Sequence, residues 1–316
     1  MRPLVLAGGL LVIGCASPLP PQADLVIIAP RFLDVARGEV RRDQAVIIRN
    51  GTIDAIEAAP RASRVRAPRL QLPEDSTLLP GFIDAHVHLA WEGVPSDEPA
   101  RATLLAGFTT VRSADTVAAI VDEAHRRGVR VAAHAQGPLA IRLAANAGVD
   151  SIEHGALIDA DTAALLTAKR IALVPTLARL DTAIEAARAR NAAPDTISRL
   201  ETLRNETFAR VRAAHALGAQ LVFGTDGGVL PHGENAREFR ALAEIGLSPL
   251  ETIRAATIDA SKLIGWEGRV GEIAPGRFAD LVAVCGHPLA SPASFDVALV
   301  IARGRVLRDE TARCAP

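Results

Sequence analysis

Residues 80–89 of the chain read PGFIDAHVHL, an apolar run that ends in two histidines, His86 and His88, separated by one valine. Side chains on a β-strand alternate between its two faces, so these imidazoles project from the same side. Nitrogens placed in this way can bind one metal ion at about 2.0–2.1 Å. The stretch therefore predicts a strand that carries part of a metal site at its carboxyl end.

Three further polar residues follow apolar runs in the same manner. His134 ends VRVAAH, His154 ends SIEH, and Asp226 ends QLVFGTD. The carboxyl ends of parallel strands gather at one edge of an α/β fold, and functional sites are built there. Because a buried carboxylate is costly without a partner, we expect a metal ion to be the partner of Asp226.

The middle of the chain, residues 76–266, alternates strand-like and helix-like segments. Such alternation is typical of parallel β/α units, and an eight-unit barrel averages about 30 residues per unit. We therefore predict an α/β fold with a TIM-like (β/α) barrel that is shortened to about six units. The predicted strands are 77–79 with 82–86, 109–112, 129–134, 151–154, 171–176 and 220–225, and the predicted helices include 116–127, 159–169 and 197–217.

Both ends of the chain read as short strands rather than as helices. In residues 24–75, Asn50-Gly51 stands between two apolar runs, which is a strong hairpin signal. Residues 267–310 show the same pattern of short, apolar, strand-like runs. We expect the two ends to form one small composite β-sandwich beside the barrel.

The first residues predict export. Arg2 precedes an apolar stretch at 4–14 that is too short to span a bilayer, and Cys15 follows Gly14 directly. Residues 1–14 resemble a bacterial lipoprotein signal, which would make Cys15 the lipidated first residue and residues 15–23 a proline-rich tether. We expect a lipoprotein on the periplasmic side of a bacterial envelope, held to the membrane only by its lipid. An ordinary secretory signal and an uncleaved anchor are the alternatives.

Net charge bears on the binding partners, and the cysteines bear on possible disulfide formation. The 316 residues carry a net charge of −1, which gives no reason to expect nucleic acid as a partner. Cys285 and Cys314 could pair in an oxidising compartment, or could remain a buried thiol and an exposed tail thiol. Both alternatives stay open at the level of sequence.

PGFIDAHVHL resembles the opening signature of the amidohydrolase superfamily, and further motifs match it in order. The matching segments are GFTTVR at 107–112, His134, His154, PTL at 175–177, GTD at 224–226, HGEN at 232–235 and GRFADL at 276–281. They are most similar to the branch of imidazolonepropionase-like enzymes and Xaa-Pro or Xaa-Arg dipeptidases. The resemblance implies a metal-dependent hydrolase of carbon–nitrogen bonds on a TIM-like barrel.

One departure from that branch concerns its second metal. The usual two-metal site needs a bridging lysine carbamate, but residues 89–168 contain no lysine, and Lys169 and Lys262 lie away from strand ends. Roughly 70 residues, corresponding to the third and fourth strands, are missing. We therefore expect one divalent ion, Zn²⁺ in the first instance. A mononuclear site without the lysine is a known variant of the superfamily.

The resemblance also implies roles for individual residues. His86, His88, His134 and Asp226 would hold the ion, with His154 as a further candidate ligand. Asp226 would move the proton between water and the leaving nitrogen, and His154 would polarise the carbonyl of a small amide substrate. The substrate itself would lie against His232 and Arg112, since guanidinium pairs with carboxylate in bidentate fashion.

Two other accounts of the chain compete with an active hydrolase. It could be a degenerate relative that binds a metal ion or a small molecule with little catalysis, or an internally deleted product that does not fold stably. A homo-oligomer could complete the shortened barrel if a symmetric contact covered the edge left by the second barrel strand. The sequence specifies neither the substrate nor the identity of the metal.

Overall fold

The computed structural model describes residues 22–87, 97–113, 121–290 and 296–314. The amino-terminal strands are β1 (Leu25–Asp34), β2 (Glu39–Arg49), β3 (Thr52–Ala58), β4 (Arg69–Gln71) and β5 (Ser76–Pro80). The middle of the chain holds β6 (Phe82–Val87), α1 (Asp97–Leu105), β7 (Phe108–Ser113), α2 (Val121–Arg126), β8 (Ala132–Ala135), α3 (Pro138–Ala147), β9 (Ser151–His154), α4 (Ala160–Lys169), β10 (Ala172–Val174), α5 (Ala178–Ala189), α6 (Pro194–Ala216), α7 (Arg237–Glu244), α8 (Pro249–Ala255) and α9 (Ile258–Leu263). The carboxyl-terminal strands are β11 (Leu281–Cys285), β12 (Val297–Ala302) and β13 (Arg305–Asp309).

The two ends of the chain build one eight-stranded sheet, called the terminal sheet below. Its order is β13-β12-β11-β5-β1-β2-β3, with β4 paired to β1. Asn50 and Gly51 both have positive φ, at 51° and 73°, and form the predicted hairpin turn between β2 and β3. The predicted union of the termini is therefore present, as one continuously paired sheet.

Strand β5 connects the two halves of the terminal sheet. It pairs antiparallel with β11 and parallel with β1. Residues 77–79, predicted as part of a barrel strand, pair instead within the terminal sheet. The chain leaves that sheet at Gly81, directly before the histidine-bearing strand.

A disulfide closes the carboxyl-terminal part of the terminal sheet. Cys285, at the end of β11, is bonded to Cys314 in a short 3₁₀ helix, Thr311–Cys314. Of the two alternatives left open for these cysteines, the structure has the disulfide.

The middle of the chain forms a parallel arc of six extended segments. β6 pairs with β7, and β8, β9 and β10 pair in that order. Residues 220–226 lie between β10 and β6: the Val222 N–H donates to the Leu173 carbonyl, and the Asp226 N–H donates to the His86 carbonyl. The order is therefore β7, β6, 220–226, β10, β9, β8, which matches the six predicted units of an α/β fold.

This arc has two edges within the described residues. No backbone pairing among them joins β7 to β8, the two segments that flank the point where the third and fourth strands of a full barrel would lie. The predicted helix 116–127 follows β7, and its described part is α2. The arc is thus open between β7 and β8 in the part of the chain that the structure describes.

Local signals explain several of the elements. Asp159 caps α4 by accepting from the Thr162 N–H at 2.8 Å, and the Thr162 hydroxyl completes a capping box. The predicted helix 197–217 is present as α6, which begins at Pro194, a favoured first helical residue. No helix in the described residues is long and apolar enough to cross a membrane.

Gly224 permits the close approach of residues 220–226 to their neighbours. A Cβ atom there would lie 2.4 Å from Val174 Cγ1 and 2.9 Å from His86 Cβ. Contacts this short would push the segment away from β10 and β6. Glycine at this position therefore helps to bring Asp226 beside the histidines.

Candidate metal centre

Three buried side chains converge at the carboxyl end of the arc. His86 comes from β6, His154 from the end of β9, and Asp226 from the end of the 220–226 segment. One ligand atom of each lies within 4.8 Å of the other two. Asp226 Oδ1 is 3.5 Å from His86 Nε2. The predicted gathering of strand-end residues is present in these three.

The backbone around this group is held in an unusual conformation. His154, Thr176 and Asp226 have φ values of 72°, 48° and 59°. Non-glycine residues rarely adopt positive φ, and for β-branched threonine the left-handed region is a clear outlier. Each such residue costs of order 1–3 kcal/mol and persists where surrounding structure enforces it, often at functional sites. The three lie at neighbouring strand ends and aim their side chains into one place.

Each histidine of the group is oriented by a second polar side chain. His86 Nδ1 donates to Glu153 Oε2 at 2.6 Å, and Glu153 also accepts from the Ser151 hydroxyl. His154 Nδ1 lies 2.7 Å from Thr176 Oγ1. Both contacts use Nδ1, which leaves Nε2 of each ring directed to the group. Metal-binding histidines typically show this pattern, with the other ring nitrogen on a carboxylate or hydroxyl group.

A buried carboxylate fixes the strand that carries His86. Asp84 accepts from the Thr225 hydroxyl at 2.6 Å, from Asn235 Nδ2 at 2.7 Å and from the backbone N–H of His86. Burial raises the pKa of Asp84 to about 6, although these hydrogen bonds favour the ionised form. Since Asp84 bonds to the backbone of His86 and to Thr225, the residue before Asp226, it holds the two segments in register.

The charges of the group favour a cation. Burial lowers the pKa of His86, but its contacts with Asp226 and Glu153 outweigh burial and raise it to about 9. Burial and the positive charge of Arg179 lower the pKa of His154 to about 3. Burial raises the pKa of Asp226, but the contact with His86 and the nearby positive charges bring it to about 2. The group thus combines a neutral imidazole with a proton held between carboxylates.

This donor set fits a divalent metal ion. Two imidazoles and one carboxylate are common ligands of zinc and of other first-row ions. Such an ion would take the place of the Nε2 proton of His86, beside Asp226, while Nδ1 stays on Glu153. His86, His154 and Asp226 are the residues that would hold the metal.

His134 lies beside the group rather than within it. Its ring centroid is 4.4 Å from that of His154, but its side chain is exposed and its nitrogens are not part of the three-residue set. In the register of β8 with β9, His134 is opposite Glu153 and not opposite His154. His134 thus lies next to the three-residue set, and its role as a metal ligand stays a prediction.

The remaining predicted residues have different outcomes. His88 and Cys15 lie outside the described residues. Arg112 belongs to β7, and its side chain is not described. His232 lies near the centre: its Nδ1 is 3.2 Å from Thr103 Oγ1, and its ring is close to Gly227, the residue after Asp226.

Two residues of the site were not predicted. Glu153 had a usable signal, because it is an acidic residue inside an otherwise buried strand. Arg179 had none, because its position depends on how α5 begins after β10. Its Nε lies 3.7 Å from Asp226 Oδ2 and donates to Thr176 Oγ1 at 3.2 Å.

Comparison with known proteins gives a family and several relatives. The sequence model of the Amidohydrolase family matches residues 103–307. An uncharacterized protein of Mycobacterium bovis is 37% identical over 195 residues, which cover 61% of this chain and 52% of that protein. The ochratoxinase of Aspergillus niger is 30% identical over 179 residues, or 56% of this chain and 37% of that protein. The chain thus spans about half or less of the length of these curated relatives.

Solved structures share the fold. A Xaa-Pro dipeptidase with bound methionine in its active site has a TM-score of 0.78 at 22% identity, covering 90% of this chain and 99% of that one. The Aspergillus niger ochratoxinase has a TM-score of 0.72 at 19% identity, covering 90% and 95%. At these identities the likeness concerns the fold alone.

Proposed function

The chain belongs to the amidohydrolase family, and we propose that it is a metal-dependent hydrolase of amide bonds in small peptides or acylated amino acids. The observation that carries the proposal is the group of His86, His154 and Asp226, whose donor atoms lie within 4.8 Å of one another. The similar fold of a Xaa-Pro dipeptidase supports a peptide-like substrate. Substrate and metal, Zn²⁺ in the first instance, are parts of the proposal.

The residues of the centre have different roles in the proposed hydrolysis. A divalent ion held by His86, His154 and Asp226 supplies a Lewis acid and an activated water at neutral pH. Asp226 Oδ1 faces His86, while Oδ2 faces Arg179. Oδ2 is therefore placed to accept the proton of the attacking water and to return it to the leaving nitrogen.

In this proposal His134, and not His154, polarises the substrate carbonyl. His154 is buried within the ligand group, whereas His134 is exposed and its ring lies 4.4 Å away by centroid. An exposed imidazole next to the ligands can contact a substrate oxygen without leaving its strand. Glu153 and Thr176 keep the two ligand rings fixed during the reaction.

The first experiment is elemental analysis of the purified chain after dialysis, followed by assays on N-acyl amino acids and dipeptides. We expect about one metal ion per chain and hydrolysis of at least one substrate class. Asp226→Asn should lower turnover by roughly 10²–10⁴-fold, since it removes the proton carrier. A folded chain without metal would overturn the proposal, and a metal-bound chain that cleaves nothing would favour the binding protein named above. Arg204→Met, which changes a residue of α6 that pairs with Glu244, is the control variant and should keep both metal content and turnover.

We also propose that the chain is an exported lipoprotein anchored through Cys15. The disulfide between Cys285 and Cys314 supports export, because disulfides persist in oxidising compartments. Metabolic labelling with a radioactive fatty acid should label the wild type but not Cys15→Ser. A wild type that takes up no label would contradict lipid anchoring.

A further inference from the structure

Arg179 stands at the mouth of the metal centre on a rigid support. It is in the first turn of α5, and its side chain is 20% exposed. The buried carboxylate of Glu238, from α7, accepts the backbone N–H groups of Leu177 and Ala178 at 2.9 and 2.7 Å. These bonds fix the start of α5, so the position of Arg179 relative to Asp226 is defined by the fold.

The guanidinium of Arg179 uses little of its hydrogen-bonding capacity. Its contacts with Thr176 Oγ1 and Asp226 Oδ2 both use Nε. Among the described residues, no hydrogen bond uses Nη1 or Nη2 of this side chain. A partly buried guanidinium carries five donors in a planar fork, and leaving most of them unused is unfavourable unless a ligand or water takes them.

Arg204 shows what a structural arginine of similar burial does in the same protein. Its side chain is 18% exposed, yet Nε donates to Asp181 at 3.0 Å, and Nη1 and Nη2 donate to the two oxygens of Glu244 at 2.6 Å each. Its fork is fully engaged by carboxylates of the protein. Arg179 has its Nε 3.7 Å from Asp226 Oδ2, and within the described ranges no protein carboxylate accepts from its Nη atoms.

We propose that Arg179 binds a free carboxylate of the substrate through its Nη atoms. In the proposed hydrolase, Asp226 Oδ2 returns the proton to the leaving nitrogen, and Arg179 Nε lies 3.7 Å from that oxygen. A carboxylate bound by Arg179 would therefore lie on the amine side of the scissile bond. In an N-acyl amino acid or a dipeptide, the carboxylate on that side is separated from the amide nitrogen by a single carbon. The substrate class is therefore amides of α-amino acids with a free carboxylate. The inference rests on the proposed hydrolase function and gives Arg179 the role first assigned to Arg112.

The test compares two probes that differ only in the carboxylate. One is the N-acetyl-L-amino acid that the protein cleaves fastest in a panel, and the other is the N-acetyl amine without the carboxylate. We expect the wild type to prefer the acid by roughly 100-fold in kcat/KM. Arg179→Met should lower kcat/KM for the acid roughly 100-fold more than kcat/KM for the neutral probe, mainly through KM, and so abolish this preference. Arg179→Lys, which keeps the charge without the fork, should be intermediate.

Arg204→Met is the matched control, because it removes an equally buried arginine from a neighbouring helix. It should keep the preference for the acid. If Arg179→Met lowers kcat/KM equally for both probes, Arg179 serves only to position Asp226 and the inference is overturned.

Calorimetric titration of the metal-loaded protein with the acid separates this inference from the hydrolase proposal. If the wild type binds the acid, Arg179→Met does not, and neither cleaves it, the carboxylate site stands and the hydrolase function fails. If Arg179→Met binds the acid as the wild type does, the carboxylate site is wrong, whatever the activity.

Discussion

The terminal sheet and the arc differ in what they bury. In the terminal sheet, eight strands pair without interruption, apolar residues such as Ile27, Ile48 and Leu281 are buried, and a disulfide closes one end. Within the described residues the arc has edges at β7 and β8, and beside apolar residues such as Phe223 it buries the carboxylate of Glu153. Both regions therefore have an apolar core, and the arc adds buried charged groups to it.

This difference separates stability from chemistry. Buried charges and left-handed backbone both raise the free energy of the folded state. At the metal centre such backbone occurs at three neighbouring strand ends, at His154, Thr176 and Asp226. We infer that the disulfide of the terminal sheet and the polar groups of the arc can be perturbed separately.

The largest expected effect on stability comes from the terminal sheet. Replacing Cys285 and Cys314 by alanine opens a link between residues 29 apart. A closed loop of this size contributes about 3 kcal/mol to the free energy of unfolding, mainly by restricting the unfolded chain. Urea unfolding should show this loss, while the metal content of the folded variant stays unchanged. Loss of the metal together with stability would mean that the two regions are not separable.

A change in the arc should weaken metal binding while the protein stays folded. Glu153→Gln keeps the shape of the side chain but removes the charge that orients and polarises His86 at 2.6 Å. Loss of such a partner typically weakens metal affinity about 10- to 100-fold. Competition with a chelator of known affinity measures the change.

Glu244→Gln is the control for this variant. Glu244 is also a carboxylate in an ion pair, with Arg204, but it is away from the centre. The metal affinity of Glu244→Gln should equal that of the wild type. An unchanged affinity in folded Glu153→Gln would show that the carboxylate does not act on the metal through His86.

Sequence patterns predicted the features that have local signals. The six units, the union of the termini and the strand-end positions of His86, His154 and Asp226 follow from alternation, turns and apolar runs. The choice between His134 and His154 depends on strand register, which no local pattern encodes. Whether the shortened barrel closes, and what Arg179 contacts, depend on packing between segments that are distant in the chain.

The smallest expected effect is a pH dependence that belongs to the arc alone. In the metal-free protein, burial raises the pKa of Glu238 from 4.5 to about 8, although two backbone N–H donors oppose it. The carboxylate contacts of His86 raise its pKa from 6.5 to about 9, against the effect of burial. Between pH 6.5 and 8 the folded protein therefore retains protons that the unfolded chain releases.

The sign of the effect follows from this proton balance. For both groups the folded state binds more protons, so the free energy of unfolding falls as pH rises through this window, by at most about 1.4 kcal/mol per pH unit for each proton. Asp226 and His154 have lowered pKa values: the opposite contribution of Asp226 is complete well below this window, whereas that of His154 offsets His86 near pH 6.5 and fades as pH rises above it. Urea unfolding at several pH values measures the slope, which Glu238→Gln should reduce. Bound metal should reduce it too, because it displaces the proton of His86. A stability that rises with pH in this window would contradict the protonation assigned to the arc.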